Sequence, residues 1–191
     1  MERKEMLDKL KSKLTEKRFV HSLGVEYTAA CLAMRYEEDV QKARLAGLLH
    51  DNAKCISIED KLKKAEKFNL PISDCERANP DLLHGKLGAY YTREKYGVKD
   101  QEILDAITYH TTGRPEMTMM DKIIFVADYI EPNRKIIFEL PEIRKEAFTD
   151  IDVCIVHILK NTLEYLDGKT DVIDDMTEKT YDYYKNIAGI N

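Results

Sequence analysis

The chain has 191 residues, with 35 acidic and 30 basic side chains and a formal net charge of -5 at pH 7. This length fits one domain that can bury a core without disulfides or a structural metal. The acidic balance argues against a general binder of nucleic acid or anionic membranes, although it permits a local basic pocket. The four cysteines include no Cys-x-x-Cys pair, which argues against a zinc ribbon, a thioredoxin-type redox pair and a disulfide-stapled secreted fold.

The first fourteen residues, MERKEMLDKLKSKL, place charges between their apolar side chains. This pattern indicates an amphipathic helix rather than a signal peptide, and no later apolar run reaches membrane-spanning length. Free thiols suit a reducing compartment. We therefore expect a cytoplasmic protein without a membrane partner.

Apolar residues recur at three- and four-residue spacing along almost the whole chain, without a convincing two-residue alternation between hairpin turns. The sequence therefore predicts an all-α fold, a single-domain helical bundle spanning residues 1–191. Helices are expected, with each end uncertain by a few residues, at about 2–14, 17–36, 40–52, 58–68, 82–96, 100–110, 118–130, 141–148, 151–167 and 173–187. The core of the domain is expected at about 17–135, and additional C-terminal helices at about 141–188.

Two stretches carry turn residues in place of helical periodicity. Residues 70–80 are polar and irregular, and residues 111–117 contain Gly113 and Pro115. Both are predicted to be loops. Since the second loop directly follows His110, we expect it to form the rim of any site at that histidine.

Four of the five histidines and two aspartates lie inside or beside apolar helical segments. They are His21, His50, Asp51, His84, His110 and Asp128. Neighbours three, four and seven residues away share a helix face, and those of His21 include Val25, Ala29 and Leu32. Imidazoles and carboxylates that face an interior are costly to bury unless they are paired, and one divalent cation pairs with several of them. The set therefore predicts a metal site.

The competing interpretation treats each histidine as a hydrogen-bonded core residue. For one histidine on an apolar face, that interpretation is favoured by about three to one. Four such histidines together favour metal binding. The fifth, His157, shares its face with Lys160, Asn161 and Glu164, so we predict a surface position for it.

The ordered histidines and aspartates resemble the HD-domain superfamily of metal-dependent phosphohydrolases. The resemblance narrows to the YqeK-type family, the symmetrical diadenosine tetraphosphate hydrolases, through the segments KRFVHSLGV, LLHDNAK, LLHGKLGAY and AITYHTTGRPEMTMMDKIIFVADYIEPNR. The likeness covers nearly the whole chain and is most specific between Ala106 and Arg134. One departure is the polar Asn52, where a more apolar or aromatic residue is expected. Every ligand position is retained.

The resemblance implies a bundle of the HD-domain type with two divalent metal ions, iron being favoured, and with Asp51 as the catalytic carboxylate that bridges both. It divides the other protein ligands into two sets, His21, His50 and Asp128 for one metal and His84 with His110 for the other. Independently, mixed imidazole and carboxylate ligands suit iron, manganese or zinc better than magnesium. Two metals about 3.5–4 Å apart activate water and neutralise charge on attacking and leaving oxygens.

Three basic residues accompany the predicted ligands. Lys54 is expected one helical turn after His50, where its ammonium would reach a phosphate as a catalytic group. Arg18 precedes His21 by one turn and Arg134 follows the last ligand helix, so both are predicted to clamp a polyphosphate. Solvated lysine and surface salt bridges are the competing interpretations of these residues.

The segment after His110 offers further candidates for substrate binding. The hydroxyls of Thr111 and Thr112 and the flexible backbone of Gly113 suit a phosphate. The same residue types also form ordinary turns, which is the competing interpretation. We include all three in the predicted substrate site.

The resemblance implies hydrolysis of diadenosine tetraphosphate, and of related dinucleoside polyphosphates, to two ADP. The residue chemistry alone supports only metal-dependent hydrolysis of a phosphorylated substrate. The alternatives are a nucleotidase or cyclic-nucleotide phosphodiesterase on the same scaffold, a nucleotide sensor without turnover, and a purely structural protein. No nucleic-acid polymer is expected as a partner, and the sequence leaves a homodimer open.

Overall fold

The computed structural model describes residues 1–135, 139–167 and 174–190. Every regular element in these residues is helical, which confirms the all-α prediction. The α-helices are α1 (Arg3–Lys11), α2 (Glu16–Arg35), α3 (Val40–Leu49), α4 (Ile58–Lys67), α5 (Asp74–Ala78), α6 (His84–Tyr96), α7 (Gln101–Tyr109), α8 (Met119–Ile130), α9 (Leu140–Thr149), α10 (Ile151–Asp167) and α11 (Asp175–Ile187). A short 3-10 helix spans Pro80–Leu83. Position 173, the first of the last predicted helix, lies outside the described residues.

Local signals in the sequence explain where several helices begin. The Thr15 side chain caps α2 by accepting a hydrogen bond from the backbone of Arg18. Thr118 and Asp121 form a reciprocal capping box at α8. Pro141 lies in the first turn of α9, where its missing N–H costs no helical hydrogen bond.

The predicted helix 40–52 is too long, because α3 ends at Leu49 and the chain then forms turns. The backbone of Asn52 donates to Leu49 and that of Lys54 donates to Asp51, so three-residue bonds replace the four-residue helical pattern. The Asn52 side chain also donates to the Leu49 carbonyl at 2.8 Å. This early ending places His50 and Asp51 on a turn rather than on a helix face.

The prediction of a loop at 70–80 is partly wrong, since this stretch contains α5 and the start of the 3-10 helix. Ser73 and Glu76 cap α5 reciprocally, with bonds of 2.8 and 3.1 Å. Lys86 on α6 donates to Glu76 at 2.7 Å and joins α5 to the bundle. A helix of one turn is too short to show hydrophobic periodicity, so the sequence pattern did not reveal it.

The helices that carry the predicted ligands pack on one another. Helix α2 lies against α3 and α8, and α7 lies against α3, α6 and α8. Two glycines permit close approach: a Cβ on Gly47 would lie 3.0 Å from the Val25 carbonyl oxygen, and one on Gly85 would lie 2.6 Å from that of Thr108. A side chain at either position would separate the ligand-bearing helices.

One apolar cluster extends from Met6 on α1 to Tyr184 on α11 and includes the inner faces of α2, α3, α7, α8 and α10. A smaller cluster under α4 and α6 contains Leu83, Leu87 and Tyr91. The shared large cluster supports the single-domain organisation, which stays a prediction. In the part of the chain that the structure describes, no helix is both long and apolar enough to cross a membrane.

Candidate metal centre

The six predicted ligands converge between α2, α3, α6, α7 and α8. Their donor atoms form three overlapping groups, each within 4.8 Å, namely His21, His50 and Asp51; His50, His110 and Asp128; and Asp51, His84 and His110. All four imidazoles are buried, as the sequence predicted, and Asp128 is partly exposed. Residues separated by more than a hundred positions therefore share one site.

Asp51 lies between two sets of imidazoles. Its Oδ2 atom is 3.9 Å from His21 Nε2 and 3.6 Å from His50 Nε2. Its Oδ1 atom is 3.5 Å from His84 Nε2 and 3.7 Å from His110 Nε2. One carboxylate thus offers one oxygen to each set, which is the arrangement that a ligand shared by two ions requires.

Asp128 belongs to the first of these sets. Its Oδ1 atom is 2.9 Å from His21 Nε2 and 3.7 Å from His50 Nε2. The first set thus contains two imidazoles and two carboxylate oxygens, whereas the second contains His84, His110 and the other oxygen of Asp51. The two sets differ in charge and in number of protein donors.

Each imidazole is oriented by a hydrogen bond from its Nδ1 atom. His50, His84 and His110 donate to the carbonyl three residues earlier in the chain, at 2.7, 2.5 and 2.7 Å respectively. His21 donates to Glu131 at 3.0 Å. Since these partners are acceptors, each Nδ1 carries the proton, and in its neutral form each ring presents the lone pair of Nε2 to the site.

This tautomer leaves the Nε2 atoms of His21 and His50 without a hydrogen-bond partner among the described residues. His50 Nε2 is buried and accepts no hydrogen bond from the described residues. The Nε2 atoms of His84 and His110 face each other at 3.1 Å, where two lone pairs repel unless a cation or a proton lies nearby. Unpartnered, buried nitrogen donors beside carboxylates fit a divalent metal ion.

The ionisation states of His50, His84 and Asp51 agree with this interpretation. Burial lowers the pKa of His50 to about 4 and that of His84 to about 3, so both are neutral ligands at pH 7. Burial opposes ionisation of Asp51, but the surrounding imidazoles, His50 foremost, hold the pKa of Asp51 well below its usual range. Burial also opposes protonation of His21, but hydrogen bonding to Asp128, the negative charge of Asp128 and hydrogen bonding to Glu131 together raise the pKa of His21.

Glu131 is a site residue that the sequence interpretation missed. It is buried, its Oε1 atom accepts the hydrogen bond from His21, and its Oε2 atom accepts two bonds from Asn133 at 2.7 and 3.0 Å. A Cβ on Gly24 would lie only 2.2 Å from Glu131 Oε2. Glu131 follows Asp128 by three residues, so the helix-face rule applied to Asp128 was a signal that could have found it.

The predicted arginines both contact ligand carboxylates. Arg18 Nη1 lies 2.8 Å from Asp51 Oδ2, and Arg134 Nη2 lies 2.6 Å from Asp128 Oδ1. Arg134 Nε also donates to the Asp128 carbonyl at 2.8 Å. Both guanidinium groups are only partly buried and therefore lie where a bound anion could reach them.

Unlike the two arginines, Lys54 contacts a carboxylate that is not one of the predicted ligands. Its Nζ atom contacts Asp81 at 2.6 Å, and the buried Lys61 contacts the same carboxylate at 2.6 Å. Burial opposes ionisation of Asp81, but the bonds from Lys54 and Lys61 lower the pKa of that carboxyl to about 2. The backbone of Asp81 accepts the hydrogen bond from His84, so Lys54 is placed to support this ligand.

Of the three candidates after His110, only Thr111 contacts the ligands in the described structure. Its Oγ1 atom is 3.3 Å from Nε2 of both His84 and His110. Thr112 donates within the turn to the Gly113 carbonyl at 3.0 Å. Gly113 has φ +64, and a Cβ there would lie 2.8 Å from the Thr180 side chain, so glycine is required by the turn and by α11.

A cavity of about 1140 Å³ opens beside the first ligand set. Its lining includes His21, Glu131 and both predicted arginines, together with Lys17, Tyr129, Asn133, Lys135, Asn161 and Thr162. The lining also includes Glu16, Glu139 and Glu164, so basic, acidic and hydrogen-bonding side chains together surround this cavity.

His157 is remote from these ligands and is half-buried rather than fully on the surface. Its Nδ1 atom lies 3.0 Å from Glu146, and its Nε2 atom lies 3.5 Å from Glu139. Both contacts are with residues of α9 or the residue preceding it. We therefore assign His157 to the packing of α10 against α9.

A family model described as HD domain matches residues 18–133, which include all six ligands. The chain belongs to the HD domain family. The matched span also includes Arg18, Lys54 and Glu131. Most residues of the candidate metal centre therefore lie within the HD domain.

Similar proteins extend the likeness beyond the HD domain itself. The chain is 41% identical over 183 residues to a protein of Bacillus subtilis named bis(5'-nucleosyl)-tetraphosphatase, symmetrical, covering 96% of this chain and 97% of that protein. A protein of Halalkalibacterium halodurans with the same name is 41% identical, with 95% and 96% covered. A crystal structure from Clostridium acetobutylicum, described as a predicted HD superfamily hydrolase involved in NAD metabolism, has a TM-score of 0.94, 36% identity and 98% of each chain covered.

Asp51→Ala is expected to remove turnover and to lower bound metal, because both donor sets lose a carboxylate oxygen. Metal content by mass spectrometry and hydrolysis by chromatography measure the two effects. His157→Ala is the control, and it is expected to retain wild-type metal content. An Asp51→Ala protein that keeps its metals and its activity would contradict the ligand assignment.

Glu131→Gln is expected to weaken metal affinity by about 10- to 100-fold, since the carboxylate that fixes the ring of His21 loses its charge. Competition with a fluorescent chelator measures this affinity. Glu142→Gln, an exposed carboxylate on α9, serves as the control. Equal affinity in both variants would show that Glu131 has no role in positioning His21.

Proposed function

We propose that the chain is a metal-dependent phosphohydrolase that cleaves diadenosine tetraphosphate, and related dinucleoside polyphosphates, into two nucleoside diphosphates. The observation that carries this proposal is the position of Asp51, with one oxygen toward each of two donor sets. The names of near-full-length relatives supply the substrate class.

In this proposal, one ion is held by His21, His50 and Asp128, the other by His84 and His110, and Asp51 is shared. We propose iron as the native metal, because mixed imidazole and carboxylate ligation suits it, as it also suits manganese and zinc. Bound ions would supply the Lewis acidity that activates water and neutralises charge on the phosphate chain. Metal analysis after anaerobic purification tests the identity of the ion.

The chain's own residues bind and orient the substrate. The cavity beside His21 has about 1140 Å³, which exceeds the size typical of small-molecule sites and leaves room for an extended dinucleotide. Arg18 and Arg134 lie between this cavity and the ligand carboxylates. We assign them to the phosphate chain, since a planar guanidinium binds two phosphate oxygens at once.

Thr111, Thr112, Gly113 and Lys54 complete the proposed substrate site. Thr111 is the member of this group closest to the imidazoles, and its hydroxyl can donate to a phosphate oxygen there. The catalytic role of Lys54 stays a prediction, because its ammonium contacts Asp81. Its proposed role requires that this ammonium turn from Asp81 toward the phosphate.

Arg134→Ala and Lys54→Ala are expected to keep both metals and to lower kcat/KM by about 10- to 100-fold, the effect of losing one charge-assisted hydrogen bond. Steady-state kinetics and metal content are measured together. Arg93→Ala, which removes an exposed guanidinium paired with Glu94, is the control.

Kinetics and metal content together distinguish a residue that binds substrate from one that positions a metal ligand. Metal loss in Lys54→Ala would reassign Lys54 to the support of His84 through Asp81. Wild-type kinetics in either variant would remove that residue from the substrate site.

Hydrolysis of diadenosine tetraphosphate in oxygen-18 water is expected to yield only ADP, with label in one of each pair of product molecules. This result follows if water attacks an inner phosphorus and ADP leaves. Mass spectrometry of the products measures both the identity and the label. Release of AMP and ATP would contradict symmetrical cleavage.

The same assay, run on a panel of nucleotides, tests the alternative functions. Rapid hydrolysis of nucleoside monophosphates or cyclic nucleotides, without cleavage of the dinucleotide, would favour a nucleotidase or phosphodiesterase. Tight binding by metal-loaded protein without turnover would favour a sensor.

We further propose a cytoplasmic location, which the four free cysteines support. A homodimer stays a prediction. It is supported by Val20, Tyr27 and Met34, which are exposed at seven-residue intervals on α2. Sedimentation velocity of the purified chain tests the dimer.

A further inference from the structure

A second cavity, of about 230 Å³, lies beside the turn that follows Asp51. Four lysines converge on it: Lys9 from α1, Lys13 from the segment after α1, Lys64 from α4 and Lys95 from α6. Among the described residues, none of its lining side chains is acidic. Such a concentration of like charge is notable in a chain whose net charge is -5.

The positive charge of these lysines is poorly compensated. Lys64 pairs with Asp60 at 3.4 Å, and Asp60 is largely exposed. In the residues that the structure describes, Lys9, Lys13 and Lys95 have no carboxylate within 4.0 Å. Lys9 donates to the Lys95 carbonyl at 2.8 Å and lies 5.0 Å from the centre of the Tyr96 ring, and Lys95 lies 3.9 Å from the centre of the Tyr91 ring. Burial, followed by repulsion from Lys13, Lys9 and Lys64, lowers the pKa of Lys95. A bound anion would relieve this repulsion.

Asn52 provides an independent sign of a ligand. It lines this cavity, and it is 8% exposed. Its Nδ2 atom lies 2.8 to 3.0 Å from three acceptors, the carbonyls of Leu49 and Gly88 and the hydroxyl of Thr92. Its buried Oδ1 atom has no hydrogen-bond partner among the described residues. A buried amide oxygen left without a donor is costly unless a ligand supplies one.

These features specify the chemistry of the ligand. Ammonium groups around the cavity favour several anionic oxygens, while the unpartnered acceptor on Asn52 favours a ligand that also carries a hydroxyl. A partly protonated phosphate offers both, since its second ionisation lies near neutral pH. The volume is below that of sites for drug-sized molecules, so the site accommodates a phosphate or diphosphate group rather than a whole dinucleotide.

We propose that this cavity is a diphosphate-binding site distinct from the metal centre, formed by Lys9, Lys13, Lys64 and Lys95 around Asn52. The diphosphate is either free or the terminal group of a nucleoside diphosphate. The site is independent of the proposed hydrolase function, because none of its lysines contacts a metal ligand in the described structure.

Cys55 lines the same cavity and reports its occupancy. Metal-loaded full-length protein is alkylated with the neutral reagent iodoacetamide, with or without inorganic diphosphate at constant ionic strength, and mass spectrometry follows each cysteine. Diphosphate at about ten times its Kd is expected to slow alkylation of Cys55 about tenfold. Cys31 is exposed on α2 outside the cavity and is expected to react at an unchanged rate.

Matched variants assign the protection to this cavity. Lys13→Gln combined with Lys95→Gln is expected to abolish it, whereas Lys4→Gln combined with Lys63→Gln removes the same charge at exposed positions outside the lining and is expected to retain it. Lys13→Gln alone, at an exposed position, is expected to weaken protection and replaces the double variant if that protein does not fold.

Protection of Cys55 and its loss in the lysine variants distinguish binding in this cavity from binding at the metal centre. Absence of protection in the wild type at millimolar diphosphate would overturn the proposal. So would equal protection in the Lys13→Gln, Lys95→Gln variant, because it would place the anion elsewhere. Parallel titrations with ADP and orthophosphate identify the source: protection by ADP equal to that by diphosphate supports a nucleoside diphosphate, and protection by diphosphate alone supports the free anion.

Discussion

The metal centre depends on one repeated interaction, the donation of a histidine Nδ1 hydrogen to a fixed acceptor. Three imidazoles donate to the carbonyl three residues earlier, and His21 donates to the buried Glu131. Each bond selects the tautomer and holds the ring, so four Nε2 lone pairs meet in a small volume. Helix ends are suited to this task, because their last carbonyls lack intrahelical partners. His50 and His110 accordingly follow directly after α3 and α7.

The turn after α3 has a second consequence for the site. If the helix continued past Leu49, His50 and Asp51 would project about 100° apart from successive helical positions. The three-residue bonds of the turn instead bring both side chains into one site, with Asp51 between the two imidazole pairs. Asn52 stabilises this turn through its side-chain bonds to Leu49, Gly88 and Thr92. The turn that positions Asp51 therefore also forms part of the lysine-rich cavity.

Charge is distributed unevenly around these two places. At the metal centre, Arg18 contacts the carboxylate of Asp51 and Arg134 contacts that of Asp128. Around the smaller cavity, Lys64 pairs with the exposed Asp60, and Lys9, Lys13 and Lys95 have no carboxylate within 4.0 Å among the described residues. The net negative charge of the chain does not reveal this contrast, because it is a total over the whole sequence and the fold places positive and negative groups in different regions. The fold therefore creates two basic environments of different chemistry.

The sequence by itself determined the all-α class and most helix boundaries, and it predicted the six residues that converge at the candidate metal centre, because apolar periodicity and costly buried polar groups are local or face-by-face properties. It did not reveal α5, whose single turn has no measurable period, and it extended α3 through His50 because helical spacing alone does not mark a turn. Only the tertiary structure decided that each oxygen of Asp51 faces a different imidazole pair and that Lys54 contacts Asp81. Likewise, the convergence of Lys9, Lys13, Lys64 and Lys95 arises from packing among three helices. Distances between residues far apart in the chain are set by how helices pack, and no pattern within one helix encodes them.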